Sequence, residues 1–159
     1  MVNDKKSSRI YEKKHLQPSS GGIAYFALLR IADRLKTYFE TIVAPFDITG
    51  QQYNVLRILR GAEPNGLPTL TVAERMIERT PGITRMIDRL EVKGLVVREL
   101  RPNDRRCVHC RITEKGLNLL ELLDEPVDET DASFHGLSDT ELEQLTALLE
   151  KVLKRLEPN

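Results

Sequence analysis

Apolar residues recur at helical spacing through Ile23, Ala24, Leu28, Ile31, Leu35, Tyr38 and Ile42, with Phe39 and Val43 widening the stripe until Pro45 ends it. That pattern predicts a long amphipathic helix within 23–46. Thr49 followed by Gln52 has the form of a capping box, and Tyr53, Leu56 and Leu59 predict a second, shorter helix that Gly61 closes. Residues 63–68, EPNGLP, have the composition of a turn. Thr71 with Glu74 repeats the capping-box form ahead of Val72, Ala73, Met76 and Ile77, which predicts a short helix. Thr80 is placed to cap the next helix, with Pro81 at its first position, where a missing N–H costs nothing, and Gly94 closing it after Lys93.

Two helices joined by a turn of about three residues have helix-turn-helix spacing. Residues 95–101 then read as a strand with Leu95, Val97 and Glu99 on one face, and 107–112 as its partner. Arg101, Pro102, Asn103, Asp104, Arg105 and Arg106 connect them, with Pro and Asn starting the turn and two arginines at its tip. A hairpin with a cationic tip after a helix-turn-helix is a wing, so the expected fold is mainly α with a small β wing.

At about 100° per residue, Ile83, Met86, Ile87 and Leu90 fall on one stripe of the second helix and are expected to face the core. The opposite face carries Pro81, Arg85, Asp88 and Val92, flanked by Thr84 and Arg89. Arg85, near the helix start, is the candidate for a base edge, because a guanidinium can bond guanine O6 and N7 together. Thr80 and Thr84 suit phosphates or a thymine methyl, and the N–H groups after Thr80 sit at the positive end of the helix dipole. Asn103, Arg105 and Arg106 are the wing candidates for a minor groove, whose negative potential attracts arginine. Asp88 and Asp104 are read as structural partners on this face, with Asp88 expected to pair with Arg85 or Arg89.

The run from Thr49 to Gly116, with QQYNVLRILRG, ITRMIDRLEVKGLV and NDRRCVHCRITEKG, resembles the MarR-family (multiple antibiotic resistance regulator) winged helix-turn-helix transcription factors. Asp104, Arg105 and Arg106 followed by Ile112, Thr113 and Gly116 are the most specific element, and Leu90, Gly94 and Leu95 match the end of the recognition helix. The resemblance implies a homodimer whose N- and C-terminal helices interlock and which reads a pseudo-palindromic operator in successive major grooves. It also implies repression or activation tuned by a small ligand or oxidant between the dimer helices and the DNA-binding lobe.

Charge divides along the same lines. Residues 50–112 hold twelve basic and seven acidic groups, whereas 113–159 hold four and twelve, within a chain of zero net charge. A basic middle suits a polyanion and an acidic tail keeps away from it. In that tail Leu117, Leu120, Leu123 and Val127 predict a helix broken or kinked at Pro126. Ser138 with Glu141 forms a further capping box, and Leu142, Leu145, Leu149, Val152 and Leu156 repeat at 3, 4, 3, 4, a seam that asks for a partner surface. The expected organisation is a mobile basic arm over 1–22, carrying Lys5, Lys6, Arg9, Lys13 and Lys14, a dimerisation helix over 23–46, a DNA-binding lobe over 47–112 and dimerisation helices over 113–159.

Other chemistry is thinly represented. Cys107, His109 and Cys110 invite a metal or redox reading, but alternation along a strand puts Cys110 opposite the other two, which favours packing over thiol sensing and both over a metal. Three His and no glycine-rich phosphate loop, GxSxG or HExxH argue against an enzyme, and no cofactor is expected. Tyr25, Tyr38, Phe39 and Tyr53 suit either core positions or a ligand pocket between lobes. With no secretory signal, no membrane span and two cysteines too close for a useful disulfide loop, the expected setting is cytoplasmic. The rival to a homodimeric repressor binding double-stranded DNA is a winged-helix module that binds protein.

Overall fold

A computed structural model describes residues 19–78, 81–101, 104–128 and 134–156, apart from the side chains of 101 and 104–107. The chain divides into two compact units, Met1–Thr37 and Tyr38–Asn159. In the first, helix α1 (Ser20–Val43, continuing into the second unit) starts within the stretch assigned to the arm. Ser19 caps it: its hydroxyl accepts from the Gly22 N–H at 3.1 Å and its carbonyl from Ile23 at 2.9 Å. Ile23, Tyr25, Phe26, Leu28, Leu29 and Ile31 are all exposed along it. The arm's five cations lie outside the described residues.

In the second unit α1 ends at Val43, and Pro45 tightens the chain into a 3-10 turn, Ala44–Phe46, before Asp47 turns it in the left-handed region. Helix α2 (Gly50–Arg60) opens with the expected capping box, Thr49 Oγ1 accepting from Gln52 N and Gln52 Oε1 from Thr49 N, and Gly61 is its C-cap. Strand β1 (Leu67–Pro68) follows, then helices α3 (Thr69–Arg75) and α4 (Ile83–Val92), strands β2 (Val96–Arg101) and β3 (Asp104–Ile112), and helices α5 (Glu114–Asp128) and α6 (Asp139–Leu156).

The three strands form an antiparallel sheet in the order β1-β3-β2. β1, read as part of a turn, pairs Leu67 with Cys110 and Pro68 with His109. That pairing holds the chain extended up to Pro68, so α3 starts at Thr69 and Thr71 already lies inside it; the expected Thr71–Glu74 capping box does not form. The strand after α4 begins at Val96 rather than Leu95. Pro126 lies inside α5, which continues past it to Asp128. The Ser138–Glu141 capping box heads α6, with Ser138 N to Glu141 Oε2 at 2.8 Å and Glu141 N to Ser138 Oγ at 3.4 Å.

One core joins the end of α1, α2 to α5 and the sheet. Val43, Leu56, Leu59, Val72, Ile87, Leu90, Cys110, Leu120 and Leu123 are fully removed from solvent. Burial of each Leu or Ile is worth about 1.5–3 kcal/mol, so α4 is fastened to the lobe mainly by Ile87 and Leu90. Tyr53 is core too, packed edge-to-face on Phe39 with ring centres 5.1 Å apart. Burial raises its hydroxyl pKa.

Candidate nucleic-acid interface

Helix α4 begins later than its sequence suggests. Gly82, with φ 94°, is its N-cap and supplies no side-chain hydrogen bond, so Pro81 belongs to a Pro-Gly turn ahead of the helix. Thr80 lies outside the described residues. The other end is closed as expected: Gly94, at φ 71°, donates to Glu91 O at 2.8 Å and Leu95 donates to Leu90 O at 2.9 Å, the paired bonds of a Schellman motif. Lys115 Nζ then reaches Lys93 O at 2.8 Å and Thr113 Oγ1 reaches Gly94 O at 2.7 Å. A cation at the negative end of the helix dipole suits that end.

Three stripes run along α4. Ile87 and Leu90 are buried and Ile83 and Met86 pack partly against the core, as the periodicity predicts. A second stripe, Thr84, Asp88 and Glu91, is taken by Arg98 of β2. Its Nη2 lies 2.6 Å from Asp88 Oδ1 and 3.3 Å from Thr84 O, its Nη1 2.6 Å from Glu91 Oε2, and its backbone N–H 3.2 Å from Glu91 Oε1. The partner of Asp88 is therefore Arg98, not Arg85 or Arg89. Burial works against the charge on Arg98, but the hydrogen bonds to Asp88 and Glu91 outweigh it and raise its pKa. Glu91 also satisfies an N–H on the free edge of β2.

The third stripe, Arg85, Arg89 and Val92, is exposed, as are Pro81 and Thr84. Neither Arg85 nor Arg89 forms an ion pair with a described residue. Arg60 pairs with Asp124 at 2.9 Å, Lys93 with Asp47 at 2.9 Å, and Arg111 with Glu63 at 3.3 Å and Glu99 at 3.2 Å, whereas Arg57 and Arg75, like Arg85 and Arg89, are exposed and form no ion pair with a described residue. What distinguishes Arg85 and Arg89 is that they share one open stripe of a single helix. Arg98 was missed in the sequence; the signal was two carboxylates at i and i+3 on one helix, which repel unless a cation stands between them.

The wing is longer than expected. β3 extends back to Asp104, which pairs with Arg101, and the register slips between Leu100 and Arg101. Arg105 and Arg106 consequently lie on strand β3 rather than in a connecting turn. Asn103, and the side chains of Asp104, Arg105, Arg106 and Cys107, lie outside the description. Cys110 is buried with its Sγ 3.4 Å from Thr69 Oγ1, while His109 Nδ1 lies 3.3 Å from Asn65 O on the other face.

An open groove of about 550 Å³ lies beside α4, lined among others by Glu40, Asp47, Thr49, Arg89 and Lys93. None of Tyr25, Tyr38, Phe39 and Tyr53 lines it. Among the described residues no helix is long and apolar enough to cross a membrane, and no cluster of three metal-ligating side chains occurs.

A helix-turn-helix whose second helix presents unpaired arginines, followed by a β hairpin, defines a winged helix-turn-helix protein. Residues 48–108 match the model of the MarR family. A transcriptional regulator from Neisseria gonorrhoeae, FarR, is 34% identical over 128 residues, 80% of this chain and 86% of that protein. The crystal structure of a MarR transcription factor from Planctomyces limnophilus is 42% identical, with a TM-score of 0.64 over 83% of this chain and 96% of that one. The DNA complex of S. aureus MepR is 28% identical, with a TM-score of 0.76 over 83% and 97%. The chain belongs to the MarR family and is a DNA-binding transcriptional regulator rather than an enzyme.

Proposed function

We propose that the protein is a cytoplasmic homodimeric repressor that reads a pseudo-palindromic operator, with α4 of each protomer in the major groove and the wing in the adjacent minor groove. The observation that carries this is the open stripe of α4, where Arg85 and Arg89 have no described ion-pair partner while the opposite stripe is buried. In this reading Arg85 contacts a guanine edge, Arg89, Thr80, Pro81 and Thr84 contact the backbone or a thymine methyl, and Asn103, Arg105 and Arg106 serve the minor groove. Two half-sites then lie about one helical turn apart, roughly 34–36 Å.

The dimer reading is supported by apolar surface that a single chain leaves open. On α6, Leu149, Val152 and Leu156 are exposed and Leu142 and Leu145 half-buried, and residues 23–31 of α1 carry their own exposed apolar side chains. The groove beside α4 is the place for a small-molecule effector, since it shares Arg89 with the DNA-facing stripe. Selection of bound sites from random duplexes, followed by titration at several salt concentrations, checks the proposal. An inverted repeat and a steep fall of affinity with salt are expected; no enriched sequence and no salt dependence would point instead to a protein-binding winged helix.

A further inference from the structure

We infer that Arg98 is a positioning residue for DNA recognition: it fixes the rotation of α4 about its own axis and silences two carboxylates beside the DNA-facing stripe. The inference rests on the proposed function. At about 100° per residue, the core stripe (Ile83, Ile87, Leu90), the Arg98-bound stripe (Thr84, Asp88, Glu91) and the open stripe (Arg85, Arg89, Val92) divide the helix surface into thirds. The buried stripe sets which face of α4 points inward; a second, directional anchor narrows the rotation that packing alone permits, with Arg85 and Arg89 outward.

Arg98 supplies the second anchor at three successive levels, 84, 88 and 91, from a strand of the wing, so its guanidinium and backbone N–H together join recognition helix and wing. The Arg98 side chain is 23% exposed but those of Asp88 and Glu91 are 53% and 39% exposed, so the pairs are solvent-screened on the carboxylate side and their value lies in direction more than in strength. Without Arg98, Asp88 and Glu91 would add two uncompensated negative charges next to the phosphates.

The test compares Arg98→Gln, Arg98→Lys and the triple variant Asp88→Asn/Glu91→Gln/Arg98→Gln, reading the ratio of operator to random-duplex affinity and amide hydrogen exchange over 83–92 in the free protein. Arg98→Gln is expected to lower the ratio about tenfold and to speed exchange in α4. Lysine, a point charge that cannot fork to both carboxylates, should fall between it and the wild type. The triple variant should recover random-duplex affinity, because the negative charge is gone, yet not the ratio, because the anchor is gone. It also keeps the comparison available if the single Gln variant fails to fold.

An unchanged ratio with unchanged exchange in Arg98→Gln or the triple variant overturns the inference, and leaves the DNA reading standing if Arg85→Ala loses discrimination. A wild-type protein that does not discriminate among duplexes overturns the DNA reading itself. Exchange in α4 then decides alone whether Arg98 holds the helix.

Discussion

Gly116 lies against the carbonyl of Leu95 so closely that a Cβ on it would stand 2.5 Å from that oxygen. The same Cβ would meet Ile112 Cγ1 at 2.6 Å. Leu95 O is also the acceptor for Thr113 N at 3.1 Å, so α5, the end of α4 and the base of the wing converge on one peptide group. Gly116→Ala should push them apart at a cost of about 1–3 kcal/mol, read as a lowered urea midpoint. An unchanged midpoint would mean that the junction is looser than its geometry indicates.

Local features of this lobe were legible in the sequence. The Thr49–Gln52 and Ser138–Glu141 capping boxes span three residues, and the Ile83–Leu90 stripe is a helical period, so each is complete within one element. What escaped depends on partners in other elements. β1 is two residues long and exists because Cys110 and His109 pair with it from some forty residues away. Asp88 pairs with a strand rather than with its own helix because Arg98 projects toward α4 from the sheet edge, a direction set by the fold. Gly82 carries a local signal of its own: a glycine after Pro81 favours a turn and delays the helix.

Replacing Arg85 with Ala should relax sequence preference and weaken operator binding by about 1–3 kcal/mol, with a smaller effect on random DNA. Changing Arg105 or Arg106 should instead weaken binding to many sequences and flatten the salt dependence. Equilibrium titrations of both classes at two salt concentrations separate the roles. Operator affinity untouched by every one of these changes would rule out the groove assignment.

Acid should loosen the start of α6. The carboxyl of Glu141 is held below its ordinary value of 4.5, first by the backbone N–H of Ser138 and then by the Ser138 hydroxyl. A group depressed in the folded state contributes stability that is complete above its ordinary pKa and is lost as pH falls through the lowered value. Amide exchange at 139–142 should therefore accelerate as pH falls below the ordinary value of 4.5, after correction for the intrinsic rate. Glu141→Gln, which cannot titrate, should flatten that profile.

Cys110 should be inert in the native protein. Its side chain is fully buried against Thr69, and thiol reagents act on exposed thiolates. In a Cys107→Ala background, the remaining thiol should react with a bulky disulfide reagent only after unfolding. Rapid labelling of the native protein would return Cys110 to consideration as an oxidant sensor.

The sharpest check on quaternary structure is the seam of α6. Leu149, Val152 and Leu156 are 39%, 49% and 75% exposed in the single chain, although they continue the apolar repeat begun by Leu142 and Leu145. A helix of eighteen residues that leaves three of the five positions of its apolar repeat exposed lacks the burial that normally stabilises it. A partner covering that stripe would supply it. Leu149→Glu combined with Val152→Glu should therefore shift the protein from dimer to monomer in sedimentation velocity while leaving the buried core of the lobe intact. Operator affinity should fall with it, because one protomer engages one half-site only. Deleting 138–159 should have the same two effects; a folded monomer that still binds a full operator tightly would show that recognition needs no dimer.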